Sequence, residues 1–64
     1  MENRIERLRN DHGLTQQGLA DALDVSRQTV NSLENGRYNP SLILAFKIAQ
    51  YFGLSIEQVF TWRG

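Results

Sequence analysis

The sequence predicts an all-α fold, a compact bundle of five short helices. Apolar residues recur at the three- and four-residue spacing of amphipathic helices. Residues typical of helix starts and helix ends divide the chain into short segments, and no stretch alternates apolar and polar residues for long enough to make a strand. With 64 residues, the chain has room for one domain and one hydrophobic core.

Capping residues predict the helix boundaries. Thr15, Ser26 and Ser41 are suitable N-caps, and glycines follow the first, third and fourth helices. Ser55 and Gln58 have the spacing of a capping box ahead of a fifth helix of one turn. The first four predicted helices cover residues 2–12, 16–23, 27–35 and 42–52.

Helical spacing also predicts which side chains face the core. The inward set is Ile5, Leu8, Leu19, Ala20, Leu23, Val25, Val30, Leu33, Leu42, Ala45, Ile48, Ala49 and Phe52. Tyr38 is expected to close over the end of the third helix.

Composition argues against an enzyme or a metalloprotein. The chain has no cysteine and a single histidine, so thiolate zinc sites and catalytic thiols are excluded. His12 has no base or nucleophile at a recognisable spacing. We expect no catalytic residues, no metal, no cofactor and no small-molecule site.

The charge pattern indicates a cytoplasmic protein without a membrane partner. Seven basic residues balance seven acidic ones, and no apolar run is long enough to span a bilayer. The bulk positive charge often seen in nucleic-acid binders is therefore missing. Arg4, Arg7 and Arg9 are expected to form solvated pairs with the acids of the first helix, which are Glu2, Glu6 and Asp11.

The second and third helices have the features of a helix-turn-helix. Only a tight turn joins them, so they must cross at a steep angle. Ala20 is small enough for a close crossing, and Val25, Val30 and Leu33 supply inward aliphatic side chains after the turn.

Four short motifs carry a resemblance to a known family. They are L-T-Q at 14–16, V-S-R-Q-T-V-N at 25–31, L-E-N-G-R at 33–37 and N-P-S-L at 39–42. In this combination the chain resembles the Cro and phage-repressor (xenobiotic-response-element, XRE) family. The resemblance implies one lambda-repressor-like DNA-binding domain over residues 1–64, with double-stranded DNA as its partner and helix three in the major groove.

The outward face of the third helix is able to read base edges. With Val30 and Leu33 buried, this face presents Arg27, Gln28, Asn31 and Ser32. Arginine can bridge O6 and N7 of guanine, and glutamine or asparagine can make two hydrogen bonds to adenine.

A second group of polar residues is expected to contact phosphates. The resemblance gives this role to Gln16 at the start of helix two, where exposed backbone N–H groups and the helix dipole favour an anion. Gln17, Thr29, Asn35 and Arg37 flank the reading helix and are further candidates.

Two positions depart from the family pattern. Gly18 stands where an acid usually completes a capping box with the threonine, and glycine costs about 1 kcal/mol relative to alanine inside a helix. Asp24 stands where glycine is usual because φ tends to be positive, and its charge near DNA could weaken binding.

Helix four is apolar around almost its whole circumference, which exceeds what one small core needs. The excess residues suggest a two-fold homodimer, with an interface formed by Ile43, Phe46, Tyr51, Phe60 and Trp62. The resulting hypothesis is a sequence-specific transcriptional repressor on a palindromic operator. The alternative is an antitoxin or another interaction module that binds a protein partner through the same apolar surface.

Overall fold

The computed structural model describes residues 1–62 as a helical bundle with a short antiparallel ribbon beside it. The helices are α1 (Ile5–Asp11), α2 (Gln16–Leu23), α3 (Arg27–Glu34), α4 (Leu42–Phe52) and α5 (Ile56–Val59), and the strands are β1 (Glu2–Asn3) and β2 (Phe60–Thr61). The predicted all-α class with five helices is confirmed. Over residues 1–62, no helix is both long enough and apolar enough to cross a membrane.

The predicted helix starts are confirmed by their capping hydrogen bonds. In each case the hydroxyl accepts from the backbone N–H three residues later, and the caps are Thr15, Ser26, Ser41 and Ser55. At α5 the capping box is complete, because Gln58 Oε1 also accepts from the Ser55 N–H at 2.9 Å. Local sequence therefore sets where these helices begin.

The first four helices end in the same way. At each end one residue has a positive φ, and the N–H of the next residue donates to the backbone carbonyl five positions earlier. In the described part of the chain, the residue with positive φ is a glycine at three of these helix ends and Asp24 at the fourth, with φ 59°. The following Val25 N–H donates to the Ala20 carbonyl at 3.0 Å. The expectation of a left-handed turn at Asp24 is confirmed.

The chain's two ends form a ribbon that the sequence did not predict. Glu2 pairs with Thr61 and Asn3 pairs with Phe60, so α1 begins at Ile5 rather than at residue 2. Strands of two residues are too short to show an alternating pattern, and their pairing joins distant parts of the chain. Asn3 ties the ribbon to α3, since its amide Nδ2 donates to the Leu33 carbonyl at 2.8 Å.

The core lies where the five helices meet. Its fully buried side chains come from every helix and are Ile5, Leu19, Ala20, Val30, Leu33, Ile48 and Val59. Leu8, Leu14 and Val25 pack against it from its margin. Most of the predicted inward set is therefore confirmed.

Three apolar or aromatic residues lie elsewhere than predicted. Leu42 is exposed, because the buried residues of α4 occupy an arc of about 140° and Leu42 falls just outside it. Tyr38 is exposed instead of covering the end of the third helix. Phe60 is only 6% exposed, because its place in β2 turns it inward while Thr61 points outward.

A partly buried ion pair with Glu34 replaces the solvated pairing expected for Arg9. Its Nε lies 2.6 Å from Glu34 Oε2, and the two side chains are 12% and 3% exposed respectively. Arg9 Nη1 also donates to the Leu14 carbonyl at 2.9 Å. The hydrogen bond with Glu34 raises the pKa of Arg9, against the opposing effect of burial, so the guanidinium stays charged at any working pH.

Replacing Arg9 with methionine should lower the free energy of unfolding by about 2 to 3 kcal/mol, because the Glu34 carboxylate would lose its charged partner and keep only the neutral Gln16 donor. Urea denaturation followed by circular dichroism measures this change. The control is Arg7→Met, which breaks the 4.0 Å contact with Asp11 between side chains 84% and 65% exposed. This control should change stability by no more than about 0.5 kcal/mol. Equal effects of the two substitutions would contradict the importance given to the buried pair.

Candidate nucleic-acid interface

The turn between α2 and α3 fixes the orientation of α3. Three residues connect the two helices, from Asp24 to the Ser26 cap, and α2 packs chiefly against α3. Ala20 and Val30 are both fully buried at this crossing. The opposite side of α3 is left facing away from the core.

The four predicted base-reading residues share that outward side of α3. Arg27, Gln28 and Asn31 are exposed and Ser32 is half-buried. At 3.6 residues per turn they span about 140° of the helix, opposite Val30 and Leu33. Within residues 1–62, the Arg27 and Gln28 side chains make no hydrogen bond or ion pair. Their donors are therefore available to a ligand.

A shallow concavity of about 330 Å³ brings part of this face together with the loop after α3. Its lining residues are Ser26, Gln28, Thr29, Ser32, Arg37 and Tyr38. The turn at Gly36 holds the loop there, since the Arg37 N–H donates to the Ser32 carbonyl at 3.0 Å. Arg37 thus lies beside α3 and is exposed.

Sequence reasoning missed two residues of this concavity as functional candidates. Tyr38 has an exposed phenol next to Arg37, and tyrosine hydroxyls are common phosphate contacts. Ser26 was assigned only a capping role, yet its hydroxyl also forms a 2.9 Å hydrogen bond with the Thr29 hydroxyl. The position of Tyr38 directly after Arg37 is the one signal that could have found it.

The remaining phosphate candidates lie at the start of α2 and the end of α3. Gln16 is half-buried, and its Nε2 donates to Glu34 Oε1 at 3.0 Å. Gln17 is exposed and donates to Asp21 Oδ1 at 2.9 Å. Asn35 is exposed and donates to Asn31 Oδ1 at 3.1 Å. The structure therefore brings Gln16 to the end of α3 and leaves Gln17 on the solvent side of α2.

The two departures from the family pattern have visible consequences. The Gly18 N–H still donates to the Thr15 Oγ1 cap at 2.9 Å, so only the reciprocal half of the capping box is lost. A Cβ at Gly18 would lie 3.3 Å from Thr15 Oγ1, which is a tight contact. Asp24 is exposed at the turn and adds negative charge at one end of α3.

The predicted dimer residues are not one continuous patch. Ile43 is 73% exposed, and it shares the first half of α4 with the exposed Phe46 and with Leu42. Tyr51 lies at the other end of α4, where it lines a concavity with Asp24. Trp62 is exposed beyond β2. Phe60 is only 6% exposed, so it offers little surface to a partner, contrary to what its assignment to the interface expects.

Comparison with known proteins gives one consistent result. The helix-turn-helix family profile matches residues 5–59. An HTH-type transcriptional regulator of Methanocaldococcus jannaschii is 52% identical over 98% of this chain and 96% of its own length. The HTH-type transcriptional regulator YgzD of Bacillus subtilis is 43% identical over 94% of this chain and 91% of its own length.

Solved structures share the fold. The restriction-modification controller protein C.AhdI of Aeromonas hydrophila superposes with a TM-score of 0.79 and 32% identity, over 89% of this chain and 86% of that one. The hypothetical transcription factor NHTF from Neisseria superposes with a TM-score of 0.76 and 28% identity, over 84% of this chain and 61% of that one. The outward polar face of α3, the short turn and these matches agree, and the chain belongs to the XRE-type helix-turn-helix family of DNA-binding transcriptional regulators.

Proposed function

We propose that this chain is a repressor that binds a palindromic operator as a homodimer. The observation that carries the proposal is the exposed polar face of α3, whose Arg27 and Gln28 donors have no partner within residues 1–62. Inserted in the major groove, Arg27, Gln28, Asn31 and Ser32 would read base edges. Repression follows from occupancy alone, whereas activation would need a further contact with the polymerase.

The phosphate contacts would hold α3 in register with the groove. On one flank, Arg37 supplies a charge and Thr29 a hydroxyl in the concavity beside α3. On the other flank, Gln16, Gln17 and Asn35 offer neutral amides. Although the chain has zero net charge, Arg27 and Arg37 form no ion pair within residues 1–62, so both of these charges are available to phosphates.

A two-fold pair supplies the selectivity that one helix lacks. Half-sites lie roughly 34 Å apart, so each protomer must hold its α3 about 17 Å from the two-fold axis. A domain of 31 × 22 × 20 Å fits that separation. The surface that we assign to the interface is the exposed patch of Leu42, Ile43 and Phe46 at the start of α4.

Selection of bound duplexes from a random DNA pool should recover an inverted repeat, with half-sites about one helical turn apart. Sequencing of the recovered pool measures this. The same binding should weaken steeply with salt, because neutralised phosphates release counterions. A pool without enrichment, together with salt-independent capture of a protein partner, would favour the antitoxin or interaction module instead.

Arg27→Ala and Arg37→Ala should have different effects on operator binding. The Arg27 substitution should relax base preference at one position by about 1 to 3 kcal/mol. The Arg37 substitution should weaken all sequences together and reduce the salt slope by about 1. Fluorescence anisotropy with matched and mismatched duplexes at several salt concentrations separates them. An intact preference in Arg27→Ala would disprove the assigned reading face.

Ile43→Glu should convert the dimer into a monomer, because a charge would be buried against apolar side chains of the second copy. Sedimentation velocity at micromolar concentration measures the mass, and operator affinity should fall at least about tenfold as the second half-site is lost. Asn10→Glu, which adds the same charge on the exposed face of α1, should leave both unchanged. A monomeric wild type bound to a single half-site would contradict the proposal.

A further inference from the structure

We propose that Glu34 is a positioning residue for DNA binding, which holds the Gln16 amide in place to donate to a phosphate. This inference rests on the proposed function, and in particular on the phosphate role of Gln16. Glu34 itself would touch no DNA, since its side chain is only 3% exposed.

The Glu34 carboxylate contacts Arg9 through both of its oxygens and Gln16 through one of them. Glu34 Oε2 accepts from Arg9 Nε at 2.6 Å. Oε1 accepts from Gln16 Nε2 at 3.0 Å and from Arg9 Nη2 at 3.3 Å. One buried carboxylate at the end of α3 thus connects α1 with the first residue of α2.

The contact leaves part of the Gln16 amide available. A glutamine amide carries two N–H donors, and only one of them donates to an acceptor within residues 1–62. The second can donate to a phosphate oxygen beside the free backbone N–H groups at the start of α2. Glu34 therefore fixes the amide without using up its donors.

Two physical effects make this arrangement useful. A free glutamine side chain loses rotamer freedom when it binds, and a contact made before binding reduces that cost. A carboxylate close to DNA would also repel phosphates, but the short ion pair with Arg9 neutralises this one. The acid can thus orient a phosphate donor without an electrostatic penalty.

The sign of one substitution separates positioning from simple electrostatics. Glu34→Gln keeps the shape of the side chain and adds one unit of positive charge to the protein. By charge alone, this change should tighten binding to DNA. If Glu34 positions Gln16, the same change should weaken operator binding about fivefold despite the added charge.

A double-mutant cycle tests whether Glu34 affects operator binding through Gln16. Operator affinity is measured by fluorescence anisotropy for the wild type, Gln16→Ala, Glu34→Gln and the double variant, with folding checked by circular dichroism. We expect Gln16→Ala to weaken binding five- to tenfold without changing the salt slope, because the amide is neutral. Glu34→Gln should then have less than a twofold effect in the Gln16→Ala background.

A matched control exists at an exposed acid on another helix. Glu57 is exposed on α5. Glu57→Gln makes the same chemical change and adds the same charge, so it should leave binding unchanged or tighten it slightly. If Glu34→Gln does not fold, Glu34→Asp keeps the charge and shortens the side chain, and it should weaken binding through the same coupling to Gln16.

The outcomes are distinct. Two results would overturn the positioning role. One is tighter or unchanged operator binding by Glu34→Gln, and the other is an equal loss of operator affinity from Glu34→Gln with and without Gln16. In either case, operator binding that depends on Arg27 would still stand. If random-pool selection enriches no duplex, the proposed function fails and this inference fails with it.

Discussion

The ion pair between Arg9 and Glu34 is the constraint on which the rest of the structure depends. A carboxylate 3% exposed is costly to bury unless its partner and remaining hydrogen bonds are in place. The pair therefore requires α1, the start of α2 and the end of α3 to stay together. Arg9 extends the link to the Leu14 carbonyl between α1 and α2, so one guanidinium spans the connection before the helix-turn-helix.

Further contacts hold α3 from the same end. Asn3 of β1 donates to the Leu33 carbonyl, and the Arg37 N–H donates to the Ser32 carbonyl. Val30 and Leu33 anchor the inner side of the helix in the core. The contacts are concentrated at the C-terminal half of α3, and its N-terminal half remains free to present Arg27 and Gln28.

A protein with zero net charge can still present a face suited to DNA. The two acids at the ends of α3 differ in their surroundings. The charge of Glu34 is neutralised by Arg9 inside the domain, whereas Asp24 is exposed at the turn. Arg27 and Arg37 have no acidic partner within residues 1–62. The local field therefore depends on which charges are paired, and the net charge does not reveal it.

The distribution of apolar surface could be only partly foreseen. Helical spacing correctly indicated an excess of apolar residues on α4, and Ile43 and Phe46 are exposed. It could not indicate that Phe60 would be buried, because that depends on the pairing of β2 with β1 at the other end of the chain. Leu42 was misplaced because it lies just outside the buried arc of α4, and Tyr38 was misplaced because it lies in the loop between α3 and α4, where helical spacing does not predict burial.

The sequence by itself determined the features that depend on neighbouring residues. Thr15, Ser26, Ser41 and Ser55 specify the helix starts, and spacing within α3 places Arg27 and Gln28 opposite Val30 and Leu33. Only the tertiary structure decided the pairing of Arg9 with Glu34, the ribbon, and the contact between Gln16 and Glu34. These contacts join residues 18 to 59 positions apart, and side-chain type alone cannot select among the partners that folding makes available.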